Sequence, residues 1–207
     1  MPPNLQLGRF FHNIRERSPQ LGLVMDVVIL KDFISQHEQY QLREKAKDYR
    51  RTGVLESNEA GPRRFFRKVD GTEYCDASIT AIGQRVIKTF GLEGFEIDPY
   101  LGWIISFVEP DGFIHPHLDR QPLYVETNQK HFRCNVMVSN GGTLASPIIG
   151  GRGYRVDERA LWGFFASELT HGTLPNVGSG PRIVYQFGFT VPGDYSLTSY
   201  TGMFVMG

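Results

Sequence analysis

His117-Leu118-Asp119, a distant His171 and then Arg182 are the residues of this chain whose types and spacing suit chemistry. Two imidazoles and one carboxylate, leaving coordination positions open, are the donor set of a mononuclear non-haem iron(II) centre. In extended chain, residues i and i+2 project to the same side, so His117 and Asp119 can reach one ion together. His171 lies 54 residues after His117 and must be supplied by a separate strand. Arg182 stands eleven residues further on, after the turn Asn176-Val177-Gly178-Ser179-Gly180-Pro181, and opens another strand. Its planar guanidinium is the fork that grips a carboxylate through two parallel hydrogen bonds. An H-x-D triplet alone arises easily by chance among six histidines; the signal lies in the set.

The surrounding pattern says what must position these groups. From Tyr100 the apolar period is two, and strands are predicted at Leu101–Val108, His115–Asp119, Phe132–Ser139, Ala160–Ala166 and Arg182–Val191. In the last, Ile183, Tyr185, Phe187, Phe189 and Val191 alternate with Arg182, Val184, Gln186 and Gly188. Likewise Phe132, Cys134, Val136 and Val138 alternate with Arg133, Asn135, Met137 and Ser139. Strands with one polar and one apolar face suit a double-sheet jelly roll around a polar cavity. Upstream, Val24–Leu30 reads as a strand. Ser35 with Glu38 three residues later is a capping box opening a helix over about Gln36–Tyr49, with Tyr40, Leu42, Ala46 and Tyr49 as its buried side. Ile79, Ile82, Val86 and Phe90 write a second helix, closed by Gly91. Gly53–Gly71, with Arg63, Arg64, Arg67 and Lys68 around Phe65 and Phe66, reads as a long loop or irregular hairpin.

The expected architecture is therefore mainly β with flanking helices (α+β): a jelly-roll core with N-terminal helices packed on one sheet. One domain over 1–207 is expected, made of an arm (1–20), a helical and β support region (21–99), the core (100–192) and an unassigned tail (193–207). With 41% hydrophobic and 13% aromatic residues the chain is ordered. Twenty-two basic residues balance 22 acidic ones, which argues against a surface built to coat nucleic acid. Cys75 and Cys134 form no C-x-x-C pair, and a reducing compartment is the simpler reading. The N-terminus shows no apolar signal core, and the longest apolar stretch, Leu21–Leu30, is far short of the roughly 20 residues that span a bilayer. A cytoplasmic protein is expected.

The stretch from about Tyr100 to Val191 resembles the iron(II)- and 2-oxoglutarate-dependent oxygenase superfamily, in its prolyl-hydroxylase-like branch. Pro116-His117-Leu118-Asp119, Arg133-Cys134-Asn135-Val136-Met137-Val138-Ser139, Leu161-Trp162-Gly163-Phe164-Phe165, His171-Gly172 and Gly180-Pro181-Arg182 carry the resemblance. It implies a double-stranded β-helix, with Fe(II) on His117, Asp119 and His171 and the distal carboxylate of the cosubstrate 2-oxoglutarate on Arg182. Dioxygen is then the oxidant and hydroxylation the default outcome. Arg133 and Asn135, on the polar face of their strand, are further candidates for the cosubstrate, or else a pair filling the barrel; the branch's usual tyrosine contact has no obvious counterpart here.

Smaller assignments complete the reading. His115 is a substrate-side or hydrogen-bonding residue; His12, His37 and His131 are surface or packing residues. Arg120 is an exposed, salt-bridging side chain. The Arg63–Lys68 cluster is a solvated basic loop, with an anionic-substrate or nucleic-acid contact as the alternative; Trp162, Phe164 and Phe165 are core. A small-molecule substrate, such as an amino acid or a natural-product intermediate, fits the compact size. The alternatives are a protein or peptide residue, a nucleic-acid base, and a cupin-like metal binder without oxygen chemistry.

Overall fold

The computed structural model describes residues 26–142 and 147–197. The arm over 1–20 with His12, the start of the strand expected at Val24, and 198–207 of the tail lie outside the described residues.

Two helices follow the first strand, β1 (Val27–Leu30). Helix α1 (Gln36–Arg51) begins where expected: Ser35 Oγ accepts from Glu38 N–H, and Glu38 Oε2 accepts from Ser35 N–H at 2.8 Å. Leu42 and Ala46 are buried, but Tyr40, expected beside them, is 63% exposed. Two residues before Leu42 is about 200° around a helix, so Tyr40 faces the opposite way. Helix α2 (Ala77–Phe90) is capped by Asp76, whose Oδ1 accepts from Ser78 and Ile79 N–H, and ends at Gly91 with φ 60. Ile79, Ile82, Val86 and Phe90 are all buried. Gly83 lets α2 close on the sheet, since a Cβ there would lie 2.3 Å from the Trp103 ring.

The sheet beneath is antiparallel. It contains β2 (Glu56–Ser57), β3 (Arg64–Lys68), β4 (Glu96–Ile97), β5 (Trp103–Val108), β6 (Gln129–Asn140), β9 (Leu161–Phe165) and β11 (Arg182–Pro192). Its order is β1-β9-β6-β11-β5-β3-β2, with β4 paired to one end of β11. A three-stranded sheet holds β7 (Pro147–Ile149), β8 (Arg152–Gly153) and β10 (His171–Thr173), in the order β10-β7-β8. A short helix, α3 (Pro122–Glu126), precedes β6.

The alternation in β6 and β11 divides the main sheet into two faces. Phe132, Cys134, Val136 and Val138 join Ile183, Tyr185, Phe187 and Phe189 in the larger core, against α1 and α2. Tyr185 Oη also donates to Leu42 C=O at 2.9 Å, tying β11 to α1. Met137 and Val184 face the other way, into a second core with Ile149, Trp162 and Phe164. Leu161–Phe165 is buried throughout, as expected for Trp162, Phe164 and Phe165.

One expectation is resolved and one corrected. Gly53–Gly71, a long loop or irregular hairpin by sequence, is a hairpin, and its β3 joins the main sheet against β5, from Arg64↔Val108 to Lys68↔Ile104. His115–Asp119 is extended but is no strand; only His117 forms a bridge, to His171. Pro116 has no N–H to give a ladder, and His115 N–H donates to Ala60 C=O in the neighbouring loop. The β7–β8 turn, Gly150-Gly151, has both φ angles positive (57 and 78), the conformation that two-residue hairpins require. Among the described residues no helix is long and apolar enough to cross a membrane.

Candidate metal centre and its cleft

Between the two sheets a cleft with about 380 Å³ of empty space opens beside His117 and His171. Backbone holds the two histidines in register: His117 N–H donates to His171 C=O and His171 N–H to His117 C=O, both at 2.9 Å. Asp119 follows two residues on, its N–H donating to Ala166 C=O at 2.9 Å beyond β9. The extended chain thus puts His117 and Asp119 on one side, without the strand expected for them.

Donor atoms of His117, Asp119 and His171 lie within 4.8 Å of one another. Asp119 Oδ1 is 3.6 Å from His117 Nε2, and Asp119 Oδ2 is 3.5 Å from His171 Nε2. Each imidazole is anchored through its other nitrogen. His117 Nδ1 lies 2.7 Å from His115 C=O and His171 Nδ1 lies 3.0 Å from Leu169 C=O. A carbonyl only accepts, so each Nδ1 carries the proton and each Nε2 presents its lone pair to the carboxylate; a metal-binding histidine needs this arrangement.

Electrostatics favour the same protonation states. Burial and the nearby Arg133 guanidinium push the His171 pKa down to about 3, and burial likewise lowers that of His117. Both are neutral bases at pH 7. Burial opposes ionisation of Asp119, but Arg133 and the imidazoles of His171, His131 and His117 outweigh it and hold the carboxylate below its ordinary range. The three groups are therefore already in the charge states that bind a cation. Neutral nitrogen donors with one carboxylate suit a divalent transition metal better than an all-oxygen site does.

The expected cosubstrate residues share this cleft. Arg182 is 4% exposed; among the described residues no carboxylate lies within 4.0 Å of it, and its Nε has no partner. Burial and the charge of Arg64 lower its pKa to about 10. Asn135 and Gln186 pair across β6 and β11 and line the cleft, with Asn135 Nδ2 and Gln186 Oε1 unpartnered. Arg133 lines it too, held against the metal-side donors: Nη2 is 2.5 Å from Asp119 Oδ2 and Nη1 is 3.4 Å from His171 Nε2. Orphaned polar atoms gathered on one buried surface are the mark of a wall meant for a polar ligand.

Sequence reasoning missed two features. Arg64, read as part of a solvated loop, is 6% exposed and lines the cleft from β3. Its β3–β5–β11 row aligns Arg64, Val108 and Arg182 on one face, a juxtaposition that exists only once the hairpin pairs with β5. His131, read as a surface or packing residue, is fully buried behind Asp119. Its Nδ1 lies 3.0 Å from Asp98 Oδ2 and its Nε2 lies 3.9 Å from Asp119 Oδ2. Asp98 also accepts from Tyr124 Oη at 2.6 Å, from Thr190 Oγ1 at 3.1 Å, and from Tyr100 and Leu101 N–H. Against burial, these contacts hold its carboxyl far below the usual range. His131 and Arg133 lie two residues apart on β6 and so share a face, but the strand expected from Phe132 left His131 outside its polar row. His115 is exposed, its ring edge-on to Phe113, and His37 is exposed; Arg120 is exposed as expected but forms no salt bridge among the described residues.

No family model and no curated protein matches the chain. Solved structures do, at low identity and over most of the chain. A prolyl-4-hydroxylase of Pseudomonas putida is 16% identical, covering 81% of this chain and 92% of its own, with a TM-score of 0.57. A Trichoplax adhaerens prolyl hydroxylase, solved with a peptide fragment of the hypoxia inducible factor oxygen degradation domain, is 10% identical over 79% and 83%, at 0.58. HygX of Streptomyces hygroscopicus, solved with nickel, 2-oxoglutarate and hygromycin B, is 12% identical over 84% and 85%, at 0.57. The chain shares the fold of these proteins, and the resemblance drawn from its motifs points to the same group.

Proposed function

We propose that the chain is an Fe(II)- and 2-oxoglutarate-dependent dioxygenase that hydroxylates a small molecule within a double-stranded β-helix. The observation that carries this reading is the convergence of His117, Asp119 and His171 with both Nε2 lone pairs turned to the carboxylate, in a cleft that also holds Arg182, which pairs with no carboxylate among the described residues. The fold likeness to HygX, solved with 2-oxoglutarate, and to the prolyl hydroxylases supports it. When bound, Fe(II) with 2-oxoglutarate and O2 supplies the oxidising chemistry, releasing succinate and CO2.

His117 and His171 are the neutral donors, and Asp119 contributes the negative charge that helps hold a divalent ion. Arg182 binds the distal carboxylate of 2-oxoglutarate; with no anion beside it among the described residues, its fork is left for that group. Arg133 and Asn135 are further cosubstrate contacts, and Arg133 meanwhile keeps Asp119 ionised and oriented. Trp162, Phe164 and Ile149 wall the cleft with apolar surface, which excludes water from the reacting groups.

Anaerobic addition of Fe(II) and 2-oxoglutarate is expected to produce a weak visible charge-transfer band, absent in Asp119→Ala. Equal iron binding by Asp119→Ala, with no band in the wild type, would sink the reading. A second substrate class, a peptide residue, is favoured by Leu118 and Leu174, large apolar side chains exposed next in sequence to the cleft-lining His117 and Thr173. Iron-dependent succinate formation stimulated by peptides but not by small molecules would select it.

A further inference from the structure

Three guanidiniums, Arg64, Arg133 and Arg182, line the cleft, and no acidic residue among the described ones lines it with them. Asp119, whose charge Arg64 feels, is engaged by Arg133. A ferrous ion adds two positive charges and a 2-oxoglutarate dianion removes two, so the loaded cleft retains the positive excess that its side chains alone impose. Buried charge of one sign is costly, and proteins keep it where a ligand of the opposite sign completes it.

Arg64 is the group left over. It is 6% exposed, its Nε has no partner, and no carboxylate of the described residues lies within 4.0 Å. What holds it is neutral: Nη1 donates to Asn58 Oδ1 at 3.1 Å, and Asn58 Oδ1 also accepts from Ala60 N–H at 2.6 Å. The loop that carries Asn58 is fixed in turn, since Ala60 C=O accepts from His115 N–H. Gly61 packs so closely on Phe113 that a Cβ would meet its carbonyl oxygen at 1.8 Å. Arg64 is thus oriented by an amide that leaves its charge intact. Arg182 lies two strands away, roughly 10 Å in Cα terms at the usual strand spacing. The charge of Arg64 is felt at His117, the most exposed of the three metal-site side chains, and at Asp119 and Arg133.

We infer that Arg64 is a substrate-binding residue and that the substrate is an anion, presenting a carboxylate or a phosphate to this guanidinium while Arg182 holds the cosubstrate. The inference rests on the oxygenase reading for calling that anion the substrate; the anion site itself does not require it. A guanidinium fork accepts either group bidentately. Such a site rejects neutral analogues strongly, because they leave a buried charge without its partner.

The test uses the full chain loaded with Co(II) and saturated with 2-oxoglutarate. Acetate, acetamide and inorganic phosphate are titrated at constant ionic strength, read by the visible Co(II) bands and by saturation transfer to the methyl protons. Acetate is expected to saturate and acetamide not. Displacement of acetate by lower concentrations of phosphate assigns a phosphate ester, and its failure assigns a carboxylate. Arg64→Gln is expected to weaken acetate roughly 10- to 100-fold while changing 2-oxoglutarate affinity less than twofold. Arg182→Gln should show the reverse pattern. Arg64→Lys, which keeps the charge, should retain most of the acetate binding and guards against a folding defect. Acetate binding no tighter than acetamide, unchanged acetate binding in Arg64→Gln, or loss of 2-oxoglutarate in Arg64→Gln as large as in Arg182→Gln would each overturn the assignment. Wild-type protein that takes acetate through Arg64 but never 2-oxoglutarate would instead refute the oxygenase reading and leave the anion site standing.

Discussion

Replacing Arg182 by glutamine should improve the protein's stability and ruin its cosubstrate binding at once. Burial and the repulsion of Arg64 bring the Arg182 pKa down to about 10. For a base, a lowered value means that the fold disfavours the charged form, and at pH 7 the group is still charged. At about 1.4 kcal/mol per pH unit, carrying that charge costs the fold up to about 3 kcal/mol. Glutamine removes the charge and keeps a polar tip in the cleft, so the protein without ligand should gain about 1–3 kcal/mol. Its melting temperature should then rise by roughly 2 to 10 °C. The same change deletes a bidentate, charge-assisted contact to the distal carboxylate, worth about 3 kcal/mol, or a roughly 150-fold weaker Kd. Calorimetric titration of 2-oxoglutarate into metal-loaded protein, with thermal unfolding in its absence, measures both. In the wild type, 2-oxoglutarate at a hundred times its Kd should add about 2.7 kcal/mol of stability, and at that concentration the variant should gain far less. A variant that binds 2-oxoglutarate within threefold of wild type, or that melts lower than wild type without ligand, would show that Arg182 completes a structural pair instead.

Four further outcomes follow from the described contacts. Because the His171 pKa lies near 3 and that of His117 is also lowered, metal affinity should stay nearly flat from pH 7.5 to 5.5, where an ordinary imidazole would lose about tenfold; competition with a chromophoric chelator measures this, and a steep loss over that range contradicts the neutral-donor geometry. His171 also links stability to pH: the unfolded chain takes a proton at about 6.5 and the folded one near 3, so stability should fall by up to about 1.4 kcal/mol per pH unit as pH drops through that window, with less slope in His171→Gln. Asp76→Ala removes the N-terminal cap of α2 and should cost about 1 kcal/mol in urea unfolding without touching metal affinity. Asp98→Ala strips His131, Tyr124 and Thr190 of a shared buried partner and should cost about 3–5 kcal/mol; a loss below 1 kcal/mol would mean that the cluster is not structural.

Much of this was legible along the chain because it is local. The capping box, the α2 stripe and the two alternating faces of β6 and β11 all follow from spacing, and so does the placing of Arg133, Asn135 and Arg182 toward one cleft. What escaped depends on partners far away in sequence. Tyr40 was misplaced by reading apolarity where helix angle decides. Arg64 looks like any surface arginine until β3 lies down beside β5, and His131 carries no periodic signature for a carboxylate 33 residues upstream at Asp98. The extension of His115–Asp119 was anticipated for the wrong cause. Its geometry comes from one bridge to β10 and from loops at Ala60 and Ala166, not from a ladder.

The reciprocal main-chain bridge between His117 and His171 has one more consequence. Because peptide groups set the separation of the two rings, the cage is assembled by folding itself and needs no cation as a template. Stripping with a chelator should leave an intact shell that refills readily, and different divalent ions of similar size should slot into it without refolding. On the proposed reading, such a scaffold discriminates weakly among ions of similar size, and metal supply governs which one fills it.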